Sequence, residues 1–297
     1  DTGGLHLMRY TGSWWRHTDM VSEGAAEDIV LNIDVNDILH LSYLDTLNER
    51  VAVISLDGDV RTFSVVDEGQ GIGQPLGHYL DATTRAQLVY GIDNATGLRI
   101  VRDLTGRDDG RISPDPILVL ESTESTEFGT GANANGDYNA DGYSDLIYGE
   151  PGATNDTGSV YIHYGSVDGY TSTPDLTLSG LHEGARFGAS LALLGDADGN
   201  GYDDLIVGAP NQNNDTGNST GAVHLFTGFA TGLNPAAIWM SAGDTIGGLF
   251  GSHVAPAGDV DGDGDSDIIR CSWEGKKINI FKYLKIQLSY RKGARLS

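Results

Sequence analysis

Across 297 residues, 42 Asp and Glu stand against 18 Lys and Arg, a formal net charge of −24. Such a balance argues against nucleic acid as a partner, because phosphate binding needs clustered positive charge, and it suits divalent cations. The 39% hydrophobic content still supplies a core, a single Cys excludes an internal disulfide framework, and no apolar run reaches the roughly 18 residues of a membrane-spanning helix.

The chain begins at Asp1 with neither an initiator Met nor a signal peptide, and is expected to be a mature segment or a fragment. Residues 1–110 carry a repeat of about 47 residues. ILHLSYLD (38–45) matches AQLVYGID (86–93), VLNIDVND (30–37) matches GHYLDATT (77–84), and GLHLMRY (4–10) is a partial earlier copy. Each unit reads as strand, turn, strand, with polar turns such as LDGD (56–59). GQGIGQPLG (69–77) is glycine-rich, but its spacing is wrong for a dinucleotide fingerprint and no helix comes after it, so it reads as a turn between repeats. RISPDPILVLESTESTE (111–127) is the expected junction between this repeat type and a second one. The expected N-terminal unit is therefore residues 1–115, with a second unit over 116–269.

Three segments then align: FGTGANANGDYNADGYSDLIYGEP (128–151), FGASLALLGDADGNGYDDLIVGAP (187–210) and FGSHVAPAGDVDGDGDSDIIRCSW (250–273). Their starts lie 59 and 63 residues apart. The apolar runs are short, rich in Val, Ile, Leu and Tyr and bounded by Gly, Asn and Pro, which favours strands over helices. A repeat of about 60 residues holding about four short strands is the pattern of a propeller blade.

Each copy contains a nine-residue loop: DYNADGYSD (137–145), DADGNGYDD (196–204) and DVDGDGDSD (259–267). Oxygen side chains occupy positions 1, 3, 5 and 9, and Gly occupies position 6. Hard cations such as calcium take about six to eight oxygens from a flexible loop, and Gly at 6 permits the positive φ that closes the turn. An EF-hand is excluded: position 12 is Tyr148, Val207 or Arg270 rather than Glu, and the flanks are strand-like. A single Asp-Gly turn can be a metal-free hairpin connector, but three copies in register with the same oxygens and the same Gly point to calcium.

Phe-Gly, the loop D-x-[DN]-x-[DN]-G-x-x-D and a following Gly-Ala-Pro together resemble the FG-GAP repeats of the integrin α-subunit β-propeller. The second copy matches fully through Phe187-Gly188 and Gly208-Ala209-Pro210; the first has Gly149-Glu150-Pro151; the third lacks Gly-Ala-Pro. The resemblance covers 128 to about 269. It implies an all-β propeller of four-stranded blades, with the loop joining the first two strands of each blade. It also implies Ca2+ ligands at Asp137, Asn139, Asp141 and Asp145, at Asp196, Asp198, Asn200 and Asp204, and at Asp259, Asp261, Asp263 and Asp267. Tyr143, Tyr202 and Asp265 would ligate through their carbonyls. The N-terminal part is loosely similar to bacterial and archaeal surface repeats with an His-[IL]-x-Tyr motif.

No HExxH, CxxC or GxSxG motif occurs. His6, His40, His163 and His224 sit in strand patterns and read as structural, and Trp14-Trp15 reads as core or strand edge rather than a sugar platform. Asn94, Asn155, Asn214 and Asn218 begin N-x-[ST] sequons. Residues 1–269 hold ten Arg and no Lys against 41 acids, whereas residues 270–297 hold eight basic residues against Glu274 alone. The repeat, the acidic bias and the absence of Lys all end at Arg270, so residues 270–297 are expected to be non-native, as after a shifted reading frame.

These features point to a non-enzymatic calcium-binding propeller, extracellular or in the cell envelope, that binds a protein or carbohydrate ligand without entering a membrane. The alternatives are the propeller module of a secreted hydrolase or lyase, and a passive spacer in a large surface protein.

Overall fold

A computed structural model of the chain describes residues 5–10, 15–21, 26–33, 39–57, 60–68, 72–80, 86–92, 97–102, 116–122, 127–258, 267–274 and 277–284. Short runs of β-branched and aromatic residues, cut every few positions by Gly, Asn or Asp, are too short for stable helices and fold as strands. A pair, β1 (Leu5–Tyr10) and β2 (Trp15–Val21), comes first. Two four-stranded sheets come next: β3 (Ala26–Ile33), β4 (Leu39–Asp45), β5 (Arg50–Asp57) and β6 (Val60–Glu68), then β7 (Ile72–Leu80), β8 (Ala86–Ile92), β9 (Gly97–Arg102) and β10 (Pro116–Glu121).

The third sheet is β11 (Thr130–Gly136), β12 (Asp145–Glu150), β13 (Ser159–His163) and β14 (Leu176–Ser179). The fourth contains β15 (Ser190–Gly195), β16 (Asp204–Ala209) and β17 (Ala222–Phe226). A small hairpin, β18 (Gly228–Phe229) and β19 (Gly232–Leu233), precedes its outer strand β20 (Trp239–Ala242). Last come β21 (His253–Gly258), β22 (Asp267–Glu274) and β23 (Lys277–Leu284). Every neighbouring pair is antiparallel, and chain order is spatial order within each sheet apart from the inserted hairpin. No helix among the described residues is long and apolar enough to cross a membrane.

The first strands stand side by side: β3 against β7, β7 against β11, β11 against β15 and β15 against β21. Successive sheets thus stack face to face from their inner strands outward, the architecture of a β-propeller. The 47-residue repeat has a physical basis, since β4 and β8 are the second strands of two such sheets. Each of those units contributes four strands rather than two.

Two further segments differ from the sequence expectation. Residues 72–77 of GQGIGQPLG lie in the inner strand β7 rather than in a turn; the register shifts around Pro75 let its missing N–H be tolerated. Residues 116–121, placed beyond the N-terminal unit by their Pro and Ser/Thr/Glu flanks, form the outer strand of the second sheet by pairing with β9. Arg270 falls within β22, which continues to Glu274 and pairs with β23.

Each of the last three interfaces between sheets is filled by the Phe of a Phe-Gly pair. Phe128 is buried with Val89, Leu98 and Ile100 of the second sheet. Phe187 joins Val160, Ile162 and Leu178 of the third, and Phe250 joins Val223 and Leu225 of the fourth. The second strands β12 and β16 are buried along their whole length because sheets cover both of their faces. Replacing Phe187 by Ala is expected to destabilise the chain by about 3–5 kcal/mol, the usual cost of removing a buried aromatic ring. Denaturant unfolding checks this; a loss no larger than that from Leu181→Ala, at an exposed position, would show that the ring does not hold the interface.

Candidate metal centre

The loops 137–145 and 196–204 each join the first strand of a sheet to its second, β11 to β12 and β15 to β16. They close on themselves in the same way. At position 1, Asp137 accepts hydrogen bonds from the N–H groups of Asp141 (3.0 Å) and Gly142 (2.9 Å), and Asp196 from those of Asn200 and Gly201 (both 2.8 Å). Asn139 and Asp198, at position 3, accept from the position-5 N–H at 3.1 Å. Position 5 accepts from Tyr143 (2.9 Å) or Tyr202 (2.8 Å). Gly142 and Gly201 take φ of 89° and 93°, where a Cβ would be strained, so the turn needs Gly at position 6.

Position 9 ties the loop to the sheet. Asp145 accepts from the N–H groups of Tyr138 and Gly165, both at 2.8 Å. Asp204 accepts from Ala197 (2.9 Å) and Gly228 (3.0 Å). Both carboxylates are fully buried. In the second loop, carboxylate oxygens of Asp196, Asp198 and Asp204 all lie within 4.8 Å of one another, the one such acidic or His/Cys group of three among the described residues. The first loop has Asn at position 3, and its amide donates to Asp141 at 2.9 Å. The counterpart amide of Asn200, at position 5, donates instead to the Gly228 carbonyl at 3.0 Å. Asp259, Asp261, Asp263 and Asp265 lie outside the described residues, as does the side chain of Asp267.

This donor set fits a hard cation: all side-chain oxygens, gathered in a loop closed by its own N–H groups, with a buried carboxylate at its base. Neither Asp145 nor Asp204 has an ion-pair partner among the described residues. Burial raises both carboxyls to about 7, assisted by the charges of Asp137 and Asp141 in one loop and Asp198 and Asp196 in the other.

Three supporting positions escaped the sequence reading. Gly165 and Gly228 close the third strands and supply N–H groups to position 9. A Cβ there would fall 2.3 Å from the Ser144 carbonyl oxygen or 2.4 Å from that of Asp203. Their signal was present, as the Gly ending each copy of that strand. Asp203 accepts a hydrogen bond from the Asp137 N–H at 2.9 Å, so the second loop holds the first across the interface between sheets. Nothing local marks it, because its partner is 66 residues away.

Of the strand histidines singled out in the sequence, His40, His163 and His224 are buried and hydrogen-bonded, and the side chain of His6 lies outside the described residues. His40 meets Ser55 (2.9 Å), His163 meets Tyr148 (3.2 Å) and the Thr171 carbonyl (2.9 Å), and His224 meets Gln212 (2.7 Å). Burial lowers His224 to about 4.

In chelator, a carboxyl raised by folding contributes stability below its unfolded value that is lost as pH rises through about 7. Between pH 6.5 and 8 the melting temperature is therefore expected to fall. His163 and His224, which burial lowers and which oppose this fall near their unfolded value of about 6.5, are common to the chain and to an Asp145→Asn/Asp204→Asn variant. That variant should show a flatter profile. Equal slopes for the two proteins would refute the assignment.

The FG-GAP repeat family matches residues 130–163 and 187–226. Integrin alpha-5 of Xenopus laevis is 27% identical over 286 residues, covering 90% of this chain and 25% of the integrin. Integrin alpha-V of Gallus gallus is 29% identical over 284 residues, with the same two shares. Integrin alpha pat-2 of Caenorhabditis elegans is 41% identical over 98 residues, 31% of this chain and 8% of the relative. The chain thus spans a quarter or less of the length of these relatives. It carries FG-GAP repeats over residues 130–163 and 187–226, folded as successive four-stranded sheets of a β-propeller, and is similar over most of its length to integrin alpha subunits.

Proposed function

We propose that the chain is a calcium-binding, non-enzymatic propeller module of an extracellular or cell-envelope protein, used for adhesion or for binding a protein or carbohydrate ligand. The observation that carries the cation reading is the shared frame of the two loops, with three carboxylates of the second within 4.8 Å of one another. Similarity to integrin alpha subunits supports the adhesive, surface-located reading.

Asp137, Asn139, Asp141 and Asp145 would hold one ion, and Asp196, Asp198, Asn200 and Asp204 a second, with the Tyr143 and Tyr202 carbonyls contributing. By repetition, Asp259, Asp261, Asp263, Asp265 and Asp267 would hold a third. A bound cation neutralises carboxylates that the fold has removed from water. Binding only to the folded chain then raises stability with free calcium. Residues 270–297 carry no part of this function in our reading.

Calcium titrated into chelator-treated protein is expected to raise the melting temperature and to saturate, with a smaller total shift in Asp196→Asn/Asp204→Asn. A shift matched by potassium chloride at equal ionic strength would sink the proposal, since it would report only screening of the acidic surface. Asp203→Ser, which installs the residue present at that place in the other two loops, is expected to weaken calcium at loop 137–145 by roughly 2- to 10-fold, the equivalent of one hydrogen bond. Amide shifts of the first loop during a calcium titration read this directly, and superimposable curves for the two proteins would dismiss any support across the interface.

A further inference from the structure

The strand β12 begins at Asp145 and ends at Glu150, so the cation loop and Glu150 sit at opposite ends of it. Glu150 stands where the second repeat has Ala209, and nothing in the cation reading uses it. It is 4% exposed. Its carboxylate accepts hydrogen bonds from the hydroxyls of Ser122 and, at 3.0 Å, Tyr161. Both donors are neutral, and among the described residues no Lys, Arg or His forms an ion pair with it. A carboxylate withdrawn from water and held by neutral donors alone is left with unbalanced charge.

Glu150 lines a cleft of about 410 Å³ between the outer strand of the second sheet, β10, and strands β12 and β13 of the third. That volume lies within the usual range for small-ligand sites, about 300–1,000 Å³. Three aromatic rings wall the cleft. Phe128 and Tyr148 have centroids 4.8 Å apart, and Tyr148 and Tyr161, paired across β12 and β13, 5.3 Å. Glu121 adds a second carboxylate to the lining.

We propose that this cleft binds a primary ammonium group on an aliphatic stem, with Glu150 as its counter-ion and the rings of Tyr148 and Tyr161 against its stem. Ring faces attract cations, and a buried carboxylate supplies the charge-assisted hydrogen bond. A metal ion is disfavoured, because aromatic walls cannot complete a shell of six or more oxygens. A guanidinium is the poorer match, since its planar fork wants both carboxylate oxygens in line and each already accepts a hydroxyl. This site does not depend on the cation loops being filled.

The test uses the full chain with pentylammonium, the neutral alcohol 1-hexanol, agmatine and Nα-acetyl-lysine methylamide at constant ionic strength. Pentylammonium is expected to shift the NMR signals of Tyr148, Tyr161 and Ser122 saturably, with hexanol inert and agmatine weaker. Glu150→Gln should weaken binding roughly tenfold or more, in line with loss of a desolvated charge pair. Glu150→Ala should abolish binding while still folding, because the second repeat carries Ala at that position. Lysine amide binding as tightly as pentylammonium assigns the cleft to a lysine side chain of a partner protein. Pentylammonium binding alone assigns it to free amines. The proposal is overturned if binding is unchanged in Glu150→Gln, if hexanol binds equally, if agmatine binds more tightly, or if shifts spread over the acidic surface without saturating.

Discussion

The contact on which the rest of the fold depends is between backbones. The carbonyl of Gly188, in the Phe-Gly pair of the fourth sheet, presses against Gly149 in the second strand of the third, where a Cβ would fall 2.1 Å from it. The next interface repeats this with Gly251 against Gly208, at 2.0 Å. Within each sheet the same Phe-Gly glycine donates to the second-strand glycine, Gly129 to Gly149 at 2.9 Å and Gly188 to Gly208 at 3.0 Å. Glycine at both partners is thus a condition of how closely two sheets approach. That separation lets one Phe ring fill the gap between them. The spacing of Phe-Gly and Gly-x-Pro in the sequence therefore records a distance between sheets.

The loops inherit their placement from that stacking. Because β12 and β16 are covered on both faces, the Asp that opens each of them is withdrawn from water, and only backbone N–H groups are at hand to hold it. Position 9 consequently serves two ends. It anchors the loop to the third strand through Gly165 or Gly228, and it leaves a buried negative charge at the base of a ring of oxygens. A buried carboxylate whose hydrogen bonds do not cancel its charge favours either a proton or a cation. Two loops so placed in neighbouring sheets come close enough for Asp203 to reach the chain of the other.

The second strands and the loops were legible because their signals are local and repeat. An apolar run after an Asp-rich turn reads as a strand wherever it stands, and position 1 finds its partners four and five residues on. The inner strand β7 was obscured by its Gly and Pro, which mark turns in isolation but are accommodated by a shifted register. The outer strand β10 was obscured by Pro and polar flanks. Such strands are defined by the neighbour they pair with rather than by their own composition.

By itself, the sequence determined the all-β character, the repeat, the nine-residue loops and their closure, because each arises from hydrogen bonds and hydrophobic patterning within a few residues. Only the tertiary structure decided which residues meet across sheets. Asp203 reaches Asp137 over 66 residues, and Ser122 reaches Glu150 over 28. In the sequence Glu150 is one departure from Gly-Ala-Pro. In the fold it is a buried charge beside aromatic rings, because the stacking of β10 on the third sheet leaves a cleft at that point.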